Sequence, residues 1–172
     1  MINNIGRYAL SLVVIILVQV MILNNINLGG FINPYLYVLF ILILPIEIPN
    51  WILIFIAFLL GVLMDVFLNT PGMHASATVF LAFLRPYYLR YLSPREGYEP
   101  ASLPVPSHFG FSWFFKYVLI TVVSHHLFLF FVEAFTFNHF FTTLWKVIVS
   151  SLSSIAIILL AEMFGMKKRK RF

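Results

Sequence analysis

Few residues in this chain have side chains suited to chemistry, and most of those lie inside apolar runs. Asp65 interrupts the run Trp51–Leu68, Glu133 falls near the end of Phe114–Phe137, and Lys146 lies near the start of Phe140–Gly165. An ionised side chain inside hydrocarbon is expensive unless something offsets it. If each run is a helix crossing the same layer, all three groups lie within about one or two turns of the same face, at about 1.5 Å per residue. A lysine between two acids lowers the cost of burying all of them. The spacing therefore predicts a structural ion cluster of Asp65, Glu133 and Lys146 fastening three helices. The alternative is that Glu133 and Lys146 each extend separately to the membrane surface.

His125 and His126 fall near the middle of one run, and His126 shares a helical face with Glu133 two turns on. That pattern raises a proton path or a metal site. Metal binding on a helix needs ligands three or four residues apart, whereas an adjacent pair points in different directions. Hydrogen-bonded packing histidines are the expectation here, with no metal and no cofactor. His74 and His139 are expected at helix ends, at the interface. Lys146, Ser150, Ser153, Ser154 and Ile157 follow helical spacing and read as a small-residue packing seam. No serine has a matching histidine and acid, and there is no glycine-rich phosphate loop. Glu162 balances charge near the basic C-terminal end. The chain reads as non-enzymatic.

The elements that must position these residues follow from composition. Of 172 residues, 62% are hydrophobic and 10% charged, against about 45–50% and about 25% in soluble domains. This predicts an all-α polytopic membrane protein, a single transmembrane domain over residues 1–172 in one compact bundle. The formal charge of +5 comes from basic residues that flank apolar runs rather than forming a stripe, so no nucleic-acid partner is expected. There is no cysteine, which excludes disulfides and thiolate chemistry. The run Tyr8–Leu23 is followed by Asn24-Asn25-Ile26-Asn27 rather than by a small-residue cleavage site, and reads as a retained first span.

About six spans are predicted: Tyr8–Leu23, Phe31–Ile48, Trp51–Leu68, His74–Leu92, Phe114–Phe137 and Phe140–Gly165. The second is interrupted by Pro34, Pro45 and Pro49, so its inner end is expected to be bent or short. Arg7, Arg90, Arg95, Lys116 and the tail Lys167-Lys168-Arg169-Lys170-Arg171 then share one side, which the positive-inside rule makes cytoplasmic, together with both termini. The segment 93–113 becomes a cytoplasmic loop with Pro94, Pro100, Pro104 and Pro106. It reads either as a connector lying on the membrane surface or as a docking site for a partner. The basic tail, 166–172, serves topology and also suits contact with anionic membrane lipids.

The stretch Gly61–Leu92 organises the rest. Gly61 and Asp65 share a helical face, Asn69-Thr70-Pro71-Gly72 is a turn by composition, and Ala75, Ser76 and Ala77 give the next helix a small-residue edge. Arg85 and Arg90 lie among tyrosines at its far end. Gly61-Val62-Leu63-Met64-Asp65, then Pro71-Gly72-Met73-His74-Ala75, then Tyr87-Tyr88-Leu89-Arg90 resemble the pattern of the MreD family of rod shape-determining proteins. The resemblance implies a non-enzymatic inner-membrane scaffold of the bacterial cell-elongation machinery. It implies partners as well: MreC, the MreB filament, and the elongation glycosyltransferase and transpeptidase of lateral peptidoglycan synthesis. It also implies a fold similar to the S-component of energy-coupling-factor transporters, which makes a vitamin-binding S-component the competing reading. On this view Gly61, Asp65, Gly72, Arg85, Arg90, Glu133 and Lys146 are the partner-binding or structural residues, and the Gly61–Asp65 face is a candidate surface for the single span of MreC.

Overall fold

The computed structural model describes residues 2–26, 32–100, 102–136 and 138–169, with side chains described except at 2–5, 7 and 165–169. Arg7 and the basic tail, on which the predicted orientation partly rests, lie outside the described side chains. The helices are α1 (Ile2–Met21), α2 (Val38–Ile43), α3 (Asn50–Leu68), α4 (Met73–Tyr91), α5 (Pro106–Phe109), α6 (Phe111–Ala134) and α7 (Phe140–Arg169). Among the described residues four helical stretches are long and apolar enough to cross a membrane: Tyr8–Asn25, Asn50–Leu68, Phe111–Ala134 and Phe140–Phe164. Their outward sides stay apolar, with Leu10, Phe55, Val66, Phe141 and Leu152 all exposed. That pattern suits lipid as the surrounding solvent. α4 is as long as α3 but less apolar, because Arg85, Pro86 and Arg90 lie within it.

The second predicted span is where the structure departs most from a row of helices. Between Phe31 and Ile48 only Val38–Ile43 is α-helical, about 9 Å at about 1.5 Å per residue. Yet every residue from Tyr35 to Leu44 is at most 7% exposed, and Tyr37, Val38, Ile41 and Leu42 are fully buried. This segment runs through the middle of the bundle from the His74 end of α4 to its Arg85 end, as its hydrogen bonds to both residues show. Pro34 and Pro45 set its limits: proline supplies no N–H and disfavours helix in the residue before it. Leu44, just before Pro45, is accordingly extended.

The remaining helices wrap this segment. α3 and α4 form an antiparallel hairpin and pack together more extensively than any other pair, with α4 against α6 and α6 against α7 next. α1 lies at the edge, turning Ile15, Gln19 and Leu23 inward at four-residue spacing. The expected loop 93–113 is shorter than its composition implies, because α5 forms within it and Gly110, at φ +81°, lets α6 start at Phe111. The loop is tied down. Tyr98 Oη donates to the Leu89 carbonyl at 2.6 Å and Trp113 Nε1 to the Leu92 carbonyl at 2.7 Å. Burial pushes the Tyr98 phenol up to about 12, so it stays protonated and donating. Val105 is fully buried, and the Ser102 carbonyl accepts the Ile46 N–H at 3.3 Å. The loop thus folds back under the bundle as a connector.

The hairpin closes at one glycine. A Cβ on Gly61 would lie 2.4 Å from Ala75 Cα and 2.7 Å from Ala75 N, backbone atoms that cannot rotate away, and 2.3 Å from Thr78 Oγ1. Thr78 Oγ1 also lies 2.9 Å from the Ala57 carbonyl across the interface. Such close approach is what a small residue at a helix crossing permits. Gly61→Ala is expected to push α3 and α4 apart and lower stability by about 1–3 kcal/mol, the usual effect of overpacking. Thermal unfolding in detergent checks this. An unchanged melting temperature would mean that the two helices do not touch at Gly61.

Candidate functional site

A chain that is extended, briefly helical, then extended again leaves backbone groups that its own helix cannot satisfy. At the start of the α2 segment, Gln19 meets this need from α1. Its Oε1 accepts the N–H groups of Leu36 at 2.6 Å and Tyr37 at 3.2 Å, while Nε2 donates to the Pro34 carbonyl at 3.1 Å and Asn24 Oδ1 at 2.8 Å. Two serines of α7 complete the set. Ser150 Oγ accepts the Asn33 N–H at 3.0 Å and Ser154 Oγ accepts the Tyr35 N–H at 2.8 Å. The serine seam of the sequence is therefore a row of acceptors for main chain as well as a packing edge.

At the other end, Arg85 caps the short helix. It is 1% exposed, and its guanidinium donates to the carbonyls of Leu42, Leu44 and Pro45, with Nε 2.9 Å from Tyr117 Oη. Tyr117 Oη in turn lies 3.3 Å from the Leu42 carbonyl. Among the described residues no carboxylate bonds to Arg85. Its charge is met by carbonyl dipoles that converge where a helix C-terminus carries its partial negative charge. Expected at a membrane face, Arg85 instead lies inside the bundle.

Between these ends lies a buried group of Tyr35, Tyr37, His74, His125 and His126. His126 Nδ1 lies 2.9 Å from the Val122 carbonyl, which fixes the proton there, so Nε2 accepts from Ser154 Oγ at 3.0 Å. Tyr37 Oη lies 2.8 Å from His74 Nδ1 and 3.0 Å from His125 Nε2. A phenol has one proton, so one of these histidines donates. His125 Nδ1 is buried without a partner, and an unpartnered acceptor is less costly than an unpartnered N–H. The chain of donors thus runs from His125 Nε2–H to Tyr37 and from the Tyr37 hydroxyl to His74. These are packing histidines, as expected for His125 and His126. His74 was expected at the interface and is instead 2% exposed, because the hairpin turn folds it inward against Tyr35 and Tyr37. His139 is exposed at the start of α7. No group of three His, Cys, Asp or Glu side chains placed to hold a metal occurs among the described residues.

Asp65 has a different role from the one its spacing predicts. Its carboxylate faces the start of α4. Oδ1 accepts from the His74 N–H at 2.8 Å and Thr70 Oγ1 at 2.9 Å, and Oδ2 accepts from the Ala75 N–H at 3.0 Å and the Gly72 N–H at 3.1 Å. A carboxylate that takes up the orphan N–H groups of a helix start is held by those bonds and by the helix dipole together. Asn69 and Gly72, with φ +55° and +83°, turn the chain tightly enough to bring this about. Among the described residues Lys146 bonds only to Glu133, Nζ lying 2.8 and 3.0 Å from its two carboxylate oxygens and 4.6 Å from the Phe130 ring centroid. The predicted three-residue ion cluster is therefore a pair plus a cap, because the N–H groups of α4 reach Asp65 before any lysine does. Separate extension of Glu133 and Lys146 is excluded by the same contact. Gly61 and Asp65 both face α4, so their face is filled from within the chain and does not serve a partner's span. Arg90 is exposed in the last turn of α4.

Of the residues that hold the site, Gln19, Tyr37, Ser154 and Tyr117 were not singled out as a set by the sequence. The available signal was Gln19, the one strongly polar side chain in its span, facing a segment broken by prolines. Set against known protein families, characterised proteins and solved structures, the chain matches none of them.

Two measurements follow from these contacts. In a double-mutant cycle read by thermal unfolding, Glu133→Gln with Lys146→Met is expected to show a coupling of about 0.2–1 kcal/mol, the range for a pair partly open to solvent. Asp65→Asn with Lys146→Met should show none, and coupling there would restore the three-residue cluster. Arg85→Met, which leaves three buried carbonyls short of a donor, should lower stability by about 1–3 kcal/mol or more. Arg85→Lys should recover only part of that loss, since a single ammonium cannot reach all of them.

Proposed function

We propose that this chain is a non-enzymatic scaffold of the bacterial inner membrane, of the MreD kind, with six crossings and both termini cytoplasmic. In this reading it binds MreC and helps to organise the MreB filament and the elongation glycosyltransferase and transpeptidase. The observation that carries it is the filled interior. An S-component that binds a vitamin needs a cavity near the outer end of the bundle. There the volume is taken by Tyr35, Tyr37, His74, His125 and His126, none more than 7% exposed. Hollows among the described residues open to the bundle's outside, such as the crevice of about 200 Å³ between α1 and α3 and the shallow one of about 600 Å³ beside Asp65, Asn69 and Gly72. A protein whose polar groups are used up internally acts through its outer faces. Those of α1 and α7, with Leu10, Val14, Leu17, Phe141, Ile148 and Leu152 exposed, suit contact with a single apolar helix.

The hairpin motif that carries the family resemblance supports this reading in a second way. Gly61, Asp65 and Gly72 each have a structural task that only their residue type performs: close helix approach, capping of α4 and a left-handed turn. A motif of this kind specifies a fold rather than a reaction.

The test is affinity purification of the tagged chain from its native membrane in mild detergent, with mass spectrometry of proteins and small molecules. Recovery of MreC with wall-synthesis enzymes is the expected result. Recovery of two ATPases with a transmembrane coupling subunit, or of a tightly held vitamin, would overturn the scaffold in favour of transport.

A further inference from the structure

A groove runs along the outside of the α3–α4 hairpin, opposite in character at its two ends. At the end where α3 begins and α4 finishes, Asn50, Pro86, Tyr87 and Arg90 border a hollow of about 270 Å³. Pro86 helps to leave it open, having no N–H and a ring in place of a longer side chain. Further along, through Ile54, the hollow passes into a wider apolar channel of about 610 Å³ between Phe55, Phe58 and Val79. The two hollows adjoin at Ile54, which lines both.

The polar end carries one cation, and no carboxylate is among its lining residues to match it. Among the described residues neither the Arg90 guanidinium nor the Asn50 amide has a hydrogen-bond or ion-pair partner within the chain. A lone arginine at a helix end is most often a solvated cation that complements the helix dipole. Its surroundings here differ from that default in two respects. Trp51, Tyr87 and Tyr91 beside it are 73%, 56% and 80% exposed, which is the aromatic belt that marks headgroup depth in a bilayer. The apolar channel also leads from that depth toward the middle of the hydrocarbon, where an acyl chain can fill it.

We infer that this groove is a binding site for an anionic phospholipid, with the phosphate on Arg90 and Asn50 and one acyl chain laid along Ile54, Phe55 and Phe58. Charge and position select this occupant. A zwitterionic lipid brings its own cation to the headgroup and gains little from Arg90. A partner's helix would fill the apolar channel but would leave the guanidinium unmatched. Basic pockets between membrane helices at headgroup depth bind anionic lipids for the same reason. The site owes nothing to the scaffold reading and stands if the chain proves to be a transporter subunit.

Trp51 borders the groove and reports on it directly. The chain with Trp113→Phe and Trp145→Phe, its helix content checked by circular dichroism, is placed in phosphatidylcholine vesicles containing a small fraction of brominated lipid. Brominated phosphatidylglycerol is expected to quench Trp51 with an apparent affinity about five-fold above that of brominated phosphatidylcholine, the preference one well-placed cation confers. Arg90→Gln should remove the preference, whereas Lys116→Gln, another exposed cation near the same end, should leave it. Equal quenching by both lipids would overturn the site. So would a preference that survives Arg90→Gln or falls equally with Lys116→Gln, since either marks a general charge effect. If the double tryptophan variant does not fold, native mass spectrometry of the unsubstituted chain and its Arg90→Gln form, released from mixed-lipid nanodiscs, makes the same comparison by counting retained phosphatidylglycerol.

Discussion

Every feature of this bundle answers to one constraint: a stretch of non-helical main chain lies at its centre, and main chain in an apolar interior must find hydrogen-bond partners. Helices meet that demand internally, which is why most spans need no help. The segment from Asn33 to Pro45 cannot, since its prolines confine helix to Val38–Ile43. Its partners come from four different helices: Gln19 on α1, Ser150 and Ser154 on α7, Arg85 on α4, and Tyr117 on α6. Polar residues that would otherwise be liabilities in apolar helices are thereby placed where they fix one arrangement. Slide any of those helices by a turn and an N–H or carbonyl loses its partner.

The Asp65 cap belongs to the same logic at the periphery. A helix that starts at Met73 presents free N–H groups in its first turn, and at this depth water is not the ready alternative it is in a soluble protein. Asp65, one turn before the end of α3, reaches across to meet them. The reach works only if α3 and α4 nearly touch, and Gly61 allows that one turn earlier. Cap and close approach therefore depend on each other. The small residues bring the helix start within range of the carboxylate, and the carboxylate's four bonds hold the helices at a distance that only small residues tolerate.

Much of this was legible in the sequence, but in unequal parts. Long apolar runs bounded by Gly, Pro and Asn give α3 and α4 to within one residue at each end, and α1, α6 and α7 with ends shifted by up to six residues, since period and length are properties of one segment at a time. The turn at Asn69–Gly72 was readable for the same reason, as was close approach of some backbone at Gly61, though the backbone that approaches is α4 rather than a partner's span. What could not be read was pairing between distant segments. Depth counting placed Asp65, Glu133 and Lys146 in one layer, and it is silent on angle around the bundle. Angle decides that Lys146 meets Glu133 while Asp65 turns toward α4. The buried Arg85 shows the complementary gap. A proline-broken apolar stretch announces unsatisfied main chain, yet which arginine answers it depends on packing that no local pattern encodes.

The economy of polar groups also bears on where function can reside. Among the described residues most buried polar side chains are bonded to another part of the same chain, and His125 Nδ1 and Ser151 Oγ are exceptions. A buried polar atom left without a hydrogen-bond partner costs stability, and such atoms are the part of an interior still able to take one. The His125 nitrogen shows how small that reserve is here: one acceptor, fenced by the Tyr37 and His126 rings. Unmatched groups cluster instead on the outside, at Arg90 and Asn50, beside long apolar faces. With the interior bonded to itself, the exposed polar groups and apolar faces are what the described residues leave open to contact.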